Sequence, residues 1–389
     1  MTPLKVLSLY DGMSCGYIAL KEGGYAIEKY VAYEIDRYAI KTSLHNFPDI
    51  EHRGDVFTGN YTEFYDFDLL MGGSPCTHWS IRQHKNRETQ ASGLGWELFS
   101  QYVRALNEAK PKAFIYENNK SMSTAIRQSI TDTFGFERIE INSALVSAQH
   151  RQRLYWVGIR QPDGSYKKAD ISLPTDRGIL LADILDVGDF KALSENEMSY
   201  MARDTKGKYS DRWTFLQKPA EKEKSLCIPA NIYKGVPYNI CAQPVQVGAM
   251  PRPNGTLSTS QGFRIYDVHG KSVTLKGNAG GSGGKTGLYA IAVEFDGEIP
   301  VKVLNETDGQ IYTVYRVADG LITINNRQYP IKLTDGYYII RKLSVVECKR
   351  LQTIPDWFDF PVSNSQSYKM LGNGWTVQVI VHLLNSIYQ

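Results

Sequence analysis

Residues 1–160 alternate between short apolar runs and stretches with helical period, and that order restricts the fold more than any other feature of the chain. KVLSLY, YAIEKYVAYEID, DFDLLMGG, KAFIYEN and RLYWVGIR read as strands. SCGYIALKEGG, RYAIKTSLHNF and the amphipathic WELFSQYVRALNEAK, with Leu98, Tyr102, Val103 and Leu106 on its apolar side, read as helices between them. Strand–helix alternation predicts an α/β domain whose parallel sheet carries helices on both faces.

The texture changes near residue 165. Helical patterns thin out, and 301–343 reads as successive hairpins with DG and NN turns. GNAGGSGGKTG, at 277–287, reads as a flexible loop. Helical character returns in LSVVECKRLQTI and WTVQVIVHLLNSIYQ. The expected division is an α/β domain of 1–165 plus 338–389 with a β-rich insert at 166–337.

Some classes are excluded. No run approaches eighteen apolar residues, so no membrane-spanning helix is expected. The N-terminus enters a strand pattern at once and lacks the features of a secretory signal. The cysteines, Cys15, Cys76, Cys227, Cys241 and Cys348, are odd in number and form no CxxC pair, which argues against a disulfide framework or a structural zinc site and for a reducing, cytoplasmic setting. A net charge of +3 permits a nucleic-acid partner without arguing for one.

Chemistry-bearing residues fall where strands end. LYDGMSCG, at 9–16, is a strand running into a small-residue turn and then a helix, whose first N–H groups face a ligand. Glu34, closing the second strand, suits two ribose hydroxyls. Asp55 suits an adenine amino group. Each would ordinarily be a solvated acid; in this order they favour an adenosine-containing ligand. The turn is not GxGxxG, which favours S-adenosylmethionine over a dinucleotide. Cys76 follows Gly72-Gly73-Ser74-Pro75 at another strand end. A lone cysteine there is ordinarily inert. Glu117 at the end of KAFIY, and Arg151 and Arg153 in QHRQR, are candidates to join it. A buried carboxylate at such an edge would hold a proton.

With these motifs together, the chain resembles the DNA (cytosine-5)-methyltransferases. DGMSCG, GGSPC, YENN, QHRQR, RKLSVVECKRLQTIPDWF and LGNGWTVQVI appear in that family's order over roughly 4–160 and 340–385. GGSPC, Gly95-Trp96-Glu97-Leu98-Phe99 and the Trp375 segment are similar to the de novo mammalian branch and to bacterial and phage enzymes. The resemblance implies a Rossmann-like, S-adenosylmethionine-dependent catalytic domain with a smaller β-rich target-recognition domain. It implies double-stranded DNA as partner, with the target cytosine flipped out. It assigns Cys76 as nucleophile, Glu117 as proton donor to ring nitrogen 3, Arg153 to the carbonyl oxygen at position 2, and Arg151 to orienting Glu117 or Cys76. It assigns the cofactor to Tyr10, Asp11, Gly12, Met13 and Ser14, Glu34, Ile35, Asp55, Val56, Asn373 and Trp375. Thr77–Gly95, with Ser80, Arg82 and Gln83, is similar to the mobile catalytic loop. In the insert, Thr274-Leu275 stands for the family's Thr-Leu pair, and Arg252, Arg264, Lys271, Lys276 and Lys285 are candidate DNA contacts.

Three departures stand out. Asn119 replaces the family's usual Val, Ser14-Cys15 replaces Gly-Gly, and Gly374 replaces Ser or Ala. Three alternatives stay open: an RNA cytosine-5 methyltransferase of the same fold, although its Cys-Phe-Thr tripeptide is missing; a non-catalytic regulatory module; and a nicotinamide dehydrogenase, which leaves QHRQR unexplained. A monomer is expected, and a partner restriction endonuclease is left open.

Overall fold

The computed structural model describes residues 2–80, 87–185, 190–192, 246–252, 258, 263–275, 287–295, 299–305, 311–324 and 327–389. These fall into two compact units, Met1–Arg177 with Lys349–Gln389, and Gly178–Cys348.

The first unit holds strands β1 (Leu4–Leu9), β2 (Ile27–Tyr33), β3 (Glu51–His52), β4 (Leu69–Gly72), β5 (Ala113–Asn119), β6 (Ile139–Asn142), β7 (Gln152–Arg160) and β8 (Tyr166–Lys168). Helices α1 (Cys15–Glu22), α2 (Arg37–Asn46), α3 (Gly93–Ala109) and α4 (Thr124–Phe134) connect them. The sheet order is β3-β2-β1-β4-β5-β7-β6, with β8 paired to β7. β1 to β5 pair parallel, whereas β7 runs antiparallel to β5, β6 and β8. The expectation of a purely parallel sheet is therefore corrected. β6 returns into β7 through residues 143–151, which hold only the 3-10 turn Ser143–Leu145 and are too few for a helical crossover, so the pair is antiparallel. β8 folds back on β7, which carries this unit past residue 165.

Burial of β1, β4 and β5 on both faces explains their continuous apolar sequences. Trp156, Tyr102, Tyr116, Phe99 and Phe114 are fully buried in the core on one face. Each such ring contributes about 1.5–3 kcal/mol relative to exposure.

In the second unit, the described strands are β9 (Phe190–Ala192), β10 (Gln246–Ala249), β11 (Arg264–Asp267), β12 (Leu288–Val293), β13 (Lys302–Asn305), β14 (Ile311–Ala318), β15 (Leu321–Ile324), β16 (Arg327–Pro330) and β17 (Gly336–Arg341). Their main path is β10-β11-β12-β17-β14-β13-β9. The predicted hairpins are present: β13–β14, β14–β15 and β15–β16 are antiparallel. Asp319 and Gly320, with φ of 55° and 70°, form the tight turn that the DG pair signalled.

The chain returns through α5 (Val345–Leu351), within which the unit boundary falls. It continues in the first unit as α6 (Asn364–Asn373), which the sequence reading missed, and α7 (Val377–Tyr388). α7 lies beside α1: Tyr25 donates its hydroxyl to Asn385 Oδ1 at 2.9 Å and its ring meets Tyr388. The C-terminal segment thus packs beside α1, in the unit that holds the first strand. Among the described residues no helix is long and apolar enough to cross a membrane.

Candidate active site

The C-terminal ends of β1, β4 and β5 lie side by side, with Leu9 opposite Gly72 and Gly72 opposite Tyr116. β1 is flanked by β2 on one side and β4 on the other, so the loops leaving it open a crevice, where α/β sheets bind ligands. Antiparallel β7 begins at this same edge, with Arg153 opposite Asn119 and Tyr155 opposite Glu117. A cleft of about 500 Å³ results. Its walls include Cys76, Glu117, Arg151 and Arg153 together with Glu34, Ile35, Asp55, Val56, Asn373 and Trp375.

One end is built from backbone donors and hydroxyls. Tyr10, Gly12 and Ser14 all have positive φ, at 58°, 59° and 65°. This winds the turn so tightly that Gly12 N–H reaches Glu34 Oε2 at 2.8 Å. The other Glu34 oxygen accepts from Ile35 N and Asp36 N, both at 2.8 Å. Burial raises the Glu34 carboxyl above its usual range, opposed by these three N–H groups. Asp11 turns inward and accepts from Ser8 at 2.6 Å, Ser14 at 2.5 Å and Tyr30 at 2.7 Å. Burial raises its carboxyl too, against the pull of those hydroxyls. Asp11 thus braces the turn. Met13 and Ser14 are also buried, whereas Ile35 is 74% exposed. Asp55 caps its own turn, accepting from Phe57 N at 3.0 Å, and Val56 is buried behind it. Phe57, 44% exposed, also lines the cleft. The sequence reading missed it, although an aromatic directly after Asp55-Val56 was its signal.

The other end is built from charged side chains. Arg153 Nε lies 3.1 Å from Glu117 Oε1. Trp375 Nε1 donates to Glu117 Oε2 at 3.0 Å, so the residue placed with the cofactor also touches the carboxylate. Gly73 permits this approach: a Cβ there would stand 2.7 Å from Glu117 O and 2.9 Å from Oε2. Arg151 is buried, and its Nη2 donates to Gly372 O at 3.1 Å and Gly374 O at 2.8 Å. Burial, reinforced by the neighbouring Arg153 guanidinium, pushes Arg151 down to about 9. Cys76 is partly exposed, whereas Cys15 is buried and its thiol is pushed up to about 12. Only the first is presented as a reactive group.

The remaining candidates are scattered. Ser80 sits beside the cysteine, its N–H donating to Cys76 O at 3.0 Å. Arg252 is exposed, Arg264 and Thr274 are half-buried, and Leu275 is buried. Lys271 is a correction: it is 1% exposed and its ammonium donates to Ile179 O, which removes it from the surface contacts. Arg82, Gln83, Lys276, Lys285, Cys227, Cys241 and the 277–286 part of the glycine loop lie outside the described residues.

A partly exposed thiol beside a carboxylate–guanidinium pair is equipped to add to an electron-poor ring and relieve the charge that forms. The family model described as C-5 cytosine-specific DNA methylase matches residues 4–389. The chain belongs to that family. It is a cytosine-5 DNA methyltransferase, an S-adenosylmethionine-dependent transferase. This methylase is 26% identical to the orphan methyltransferase M.SPRI of Bacillus phage SPR, covering 100% of this chain and 98% of that one. Its fold is similar to the Entamoeba histolytica methyltransferase EhMeth, with TM-score 0.57, 13% identity and coverage of 100% and 98%. It is also similar to the S. pombe Dnmt2 methyltransferase, with TM-score 0.52, 14% identity and coverage of 98% and 97%. At these identities the structural likeness is one of fold.

Proposed function

We propose that this methylase acts on a cytosine flipped out of double-stranded DNA within a short specific sequence, through a covalent bond from Cys76 to ring carbon 6. The observation that carries this reading is the shared cleft: Cys76, Glu117 and Arg153 stand at one end and Glu34, Ile35 and Phe57 at the other.

The residues fit S-adenosylmethionine. Glu34, held by three N–H groups, keeps lone-pair capacity for ribose hydroxyls. Ile35 and Phe57 leave apolar surface open for the adenine, with Asp55 and Val56 at its edge. Asn373 and Trp375 close the methionine end. When bound, this cofactor supplies a methyl group on a positively charged sulfur and departs as S-adenosylhomocysteine.

The chain's own groups do the rest. Cys76 Sγ, as thiolate, bonds to carbon 6 and sends the ring's electron pair toward carbon 5. Glu117, having first taken up a proton, passes it to ring nitrogen 3 and takes it back when the thiolate leaves, and Arg153 donates to the oxygen at position 2, so the charge is met as it develops. Carbon 5 takes the methyl group, a base removes its proton, and the Sγ–carbon 6 bond breaks to return the thiolate. Arg151 keeps the Gly372–Gly374 turn, and with it Trp375, against Glu117.

A flipped base needs a second surface to hold its duplex. Gly178–Cys348 is the unit we assign to target recognition, with Arg252, Arg264 and Thr274 as contacts and buried Leu275 fixing the segment. The relative named an orphan methyltransferase supports action without a dedicated restriction endonuclease.

The test is covalent trapping. The protein is incubated with S-adenosylmethionine and duplex DNA containing 5-fluorocytosine, with Cys76→Ser as control and a fluorocytosine-containing structured RNA in parallel. Fluorine at carbon 5 blocks the final proton loss, so a denaturant-stable adduct on Cys76 with DNA is expected. An adduct with RNA alone, or none while the cofactor binds, would overturn the reading.

A further inference from the structure

Asn119 stands where the family usually has Val, and its side chain closes a ring of hydrogen bonds around the Cys76 turn. The ring starts at Ser74, whose carbonyl accepts from Asn118 Nδ2 at 3.1 Å. Asn118 Oδ1 accepts from the Asn119 backbone N–H at 2.8 Å and from Asn119 Nδ2 at 3.2 Å. Asn119 Oδ1 accepts from Ser121 Oγ at 2.5 Å. Ser121 O accepts from Arg87 Nη2 at 2.5 Å, and the same guanidinium donates through Nε to Trp79 O at 3.1 Å. Trp79 N then donates to Cys76 O at 3.2 Å. Two carbonyls of the turn, that of Ser74 and that of Cys76 itself, are thus tied to one circuit.

The chemistry of the groups sets its direction. A backbone N–H can only donate, so Asn118 must turn Oδ1 toward Asn119. That leaves its Nδ2 facing the Ser74 carbonyl, which can only accept. Ser74, Asn118 and Asn119 are 3%, 1% and 7% exposed, so water competes poorly for these bonds. Pro75 has no N–H of its own to anchor the turn. A valine at 119 would leave the backbone bond to Asn118 but remove both the second donor on Oδ1 and the link to Ser121 and Arg87.

We propose that Asn119, Ser121 and Arg87 are positioning residues that hold Cys76 at its attack angle, acting through Asn118 on one side and Trp79 on the other. This rests on Cys76 being the nucleophile. Misplacement of a reacting atom by about 1 Å costs on the order of 100-fold in rate. The circuit acts on the thiol and leaves the Glu34 end of the cleft alone.

The test compares Asn119→Val, Ser121→Ala and Arg87→Lys with the wild type. One readout is the single-turnover rate of adduct formation on 5-fluorocytosine duplex DNA at saturating S-adenosylmethionine. A second is the cofactor dissociation constant. A third, independent of any substrate, is the pH profile of iodoacetamide alkylation at the Cys76 peptide, read by mass spectrometry. Asn119→Val and Arg87→Lys should each slow adduct formation about 10-fold or more, with cofactor affinity within about twofold. Ser121→Ala, the mildest change, should slow it about threefold, as one neutral hydrogen bond is lost. The double variant Asn119→Val/Arg87→Lys should be little worse than the slower single one, because both break the same ring. Alkylation at Cys76 should change in rate or pH midpoint in all three. Wild-type trapping rates in Asn119→Val, or an unchanged alkylation profile, would overturn the proposal. A wild type that traps no DNA would instead overturn the proposed function, and the alkylation profiles would still decide the positioning role.

Discussion

The two ends of the cleft are made from different material. At the Glu34 end, one carboxylate is held in place by three backbone N–H groups and by a turn with three positive φ values. At the Cys76 end the holding groups are themselves side chains, with Glu117 held between Arg153 and Trp375. A side chain held by backbone depends on the path of the chain as well as on its own identity. A site made of side chains fails when one functional group is lost. The methylase therefore concentrates its sensitivity at one end.

Substitutions should rank accordingly. Cys76→Ser should lose about 10⁴-fold or more in turnover while the cofactor still binds, measured by single-turnover kinetics and calorimetry, since a nucleophile acts as a unit with its partners. Glu117→Gln should lower turnover by about 10²–10⁴-fold, the range of a single acid–base group, with little change in cofactor affinity. A comparable loss of cofactor affinity in either variant would break the comparison. Arg151→Met should act at both ends, because it leaves the buried Gly372 carbonyl without this donor and Gly374 O with Gln352 Nε2, at 3.2 Å, as its side-chain donor. The buried Gly372 carbonyl alone should cost about 1–3 kcal/mol, to be read in denaturant melts.

Glu34→Gln should act at the other end alone, raising the cofactor KM by roughly 10-fold, equivalent to about 1.4 kcal/mol, with kcat within about twofold. This position also carries a pH signature. Burial raises the folded-state Glu34 pKa, so the folded chain binds the proton more tightly than the unfolded chain. Its contribution to stability is present below the ordinary glutamate value of about 4.3 and is lost as pH rises through the shifted one. Thermal melts of the cofactor-free protein should show the wild type losing ground to Glu34→Gln over that window. An equal slope in both would sink this assignment. Tyr30→Phe should be the mildest, removing one of three hydroxyls on Asp11 for about 1 kcal/mol of stability.

How much of this was legible follows the same division. Cys76, Glu117, Arg151 and Arg153 were readable because their side chains are the chemistry. Asp11 was named with the cofactor, yet its inward turn onto Ser8, Ser14 and Tyr30 depends on a φ that no residue type announces. Phe57 went unread because its exposure is set by the path of the turn after β3. α6 was hidden by its polar composition, since Ser367, Met370 and Leu371 alone supply its buried side chains.

The sequence by itself determined which strands have two buried faces, where the turns fall and which functional groups close each strand. Apolar continuity, glycine and proline placement, and side-chain identity are local properties. Only the tertiary structure decided that the arginines share a cleft with the cysteine. Arg151 precedes β7 and Arg153 lies at its start, and in a wholly parallel sheet they would stand at the opposite edge from Cys76 and Glu117. β7 runs antiparallel to β5, which brings Arg153 opposite Asn119 and beside Glu117. The direction of a strand is settled by what it pairs with after the chain has folded, and no residue within β7 encodes it.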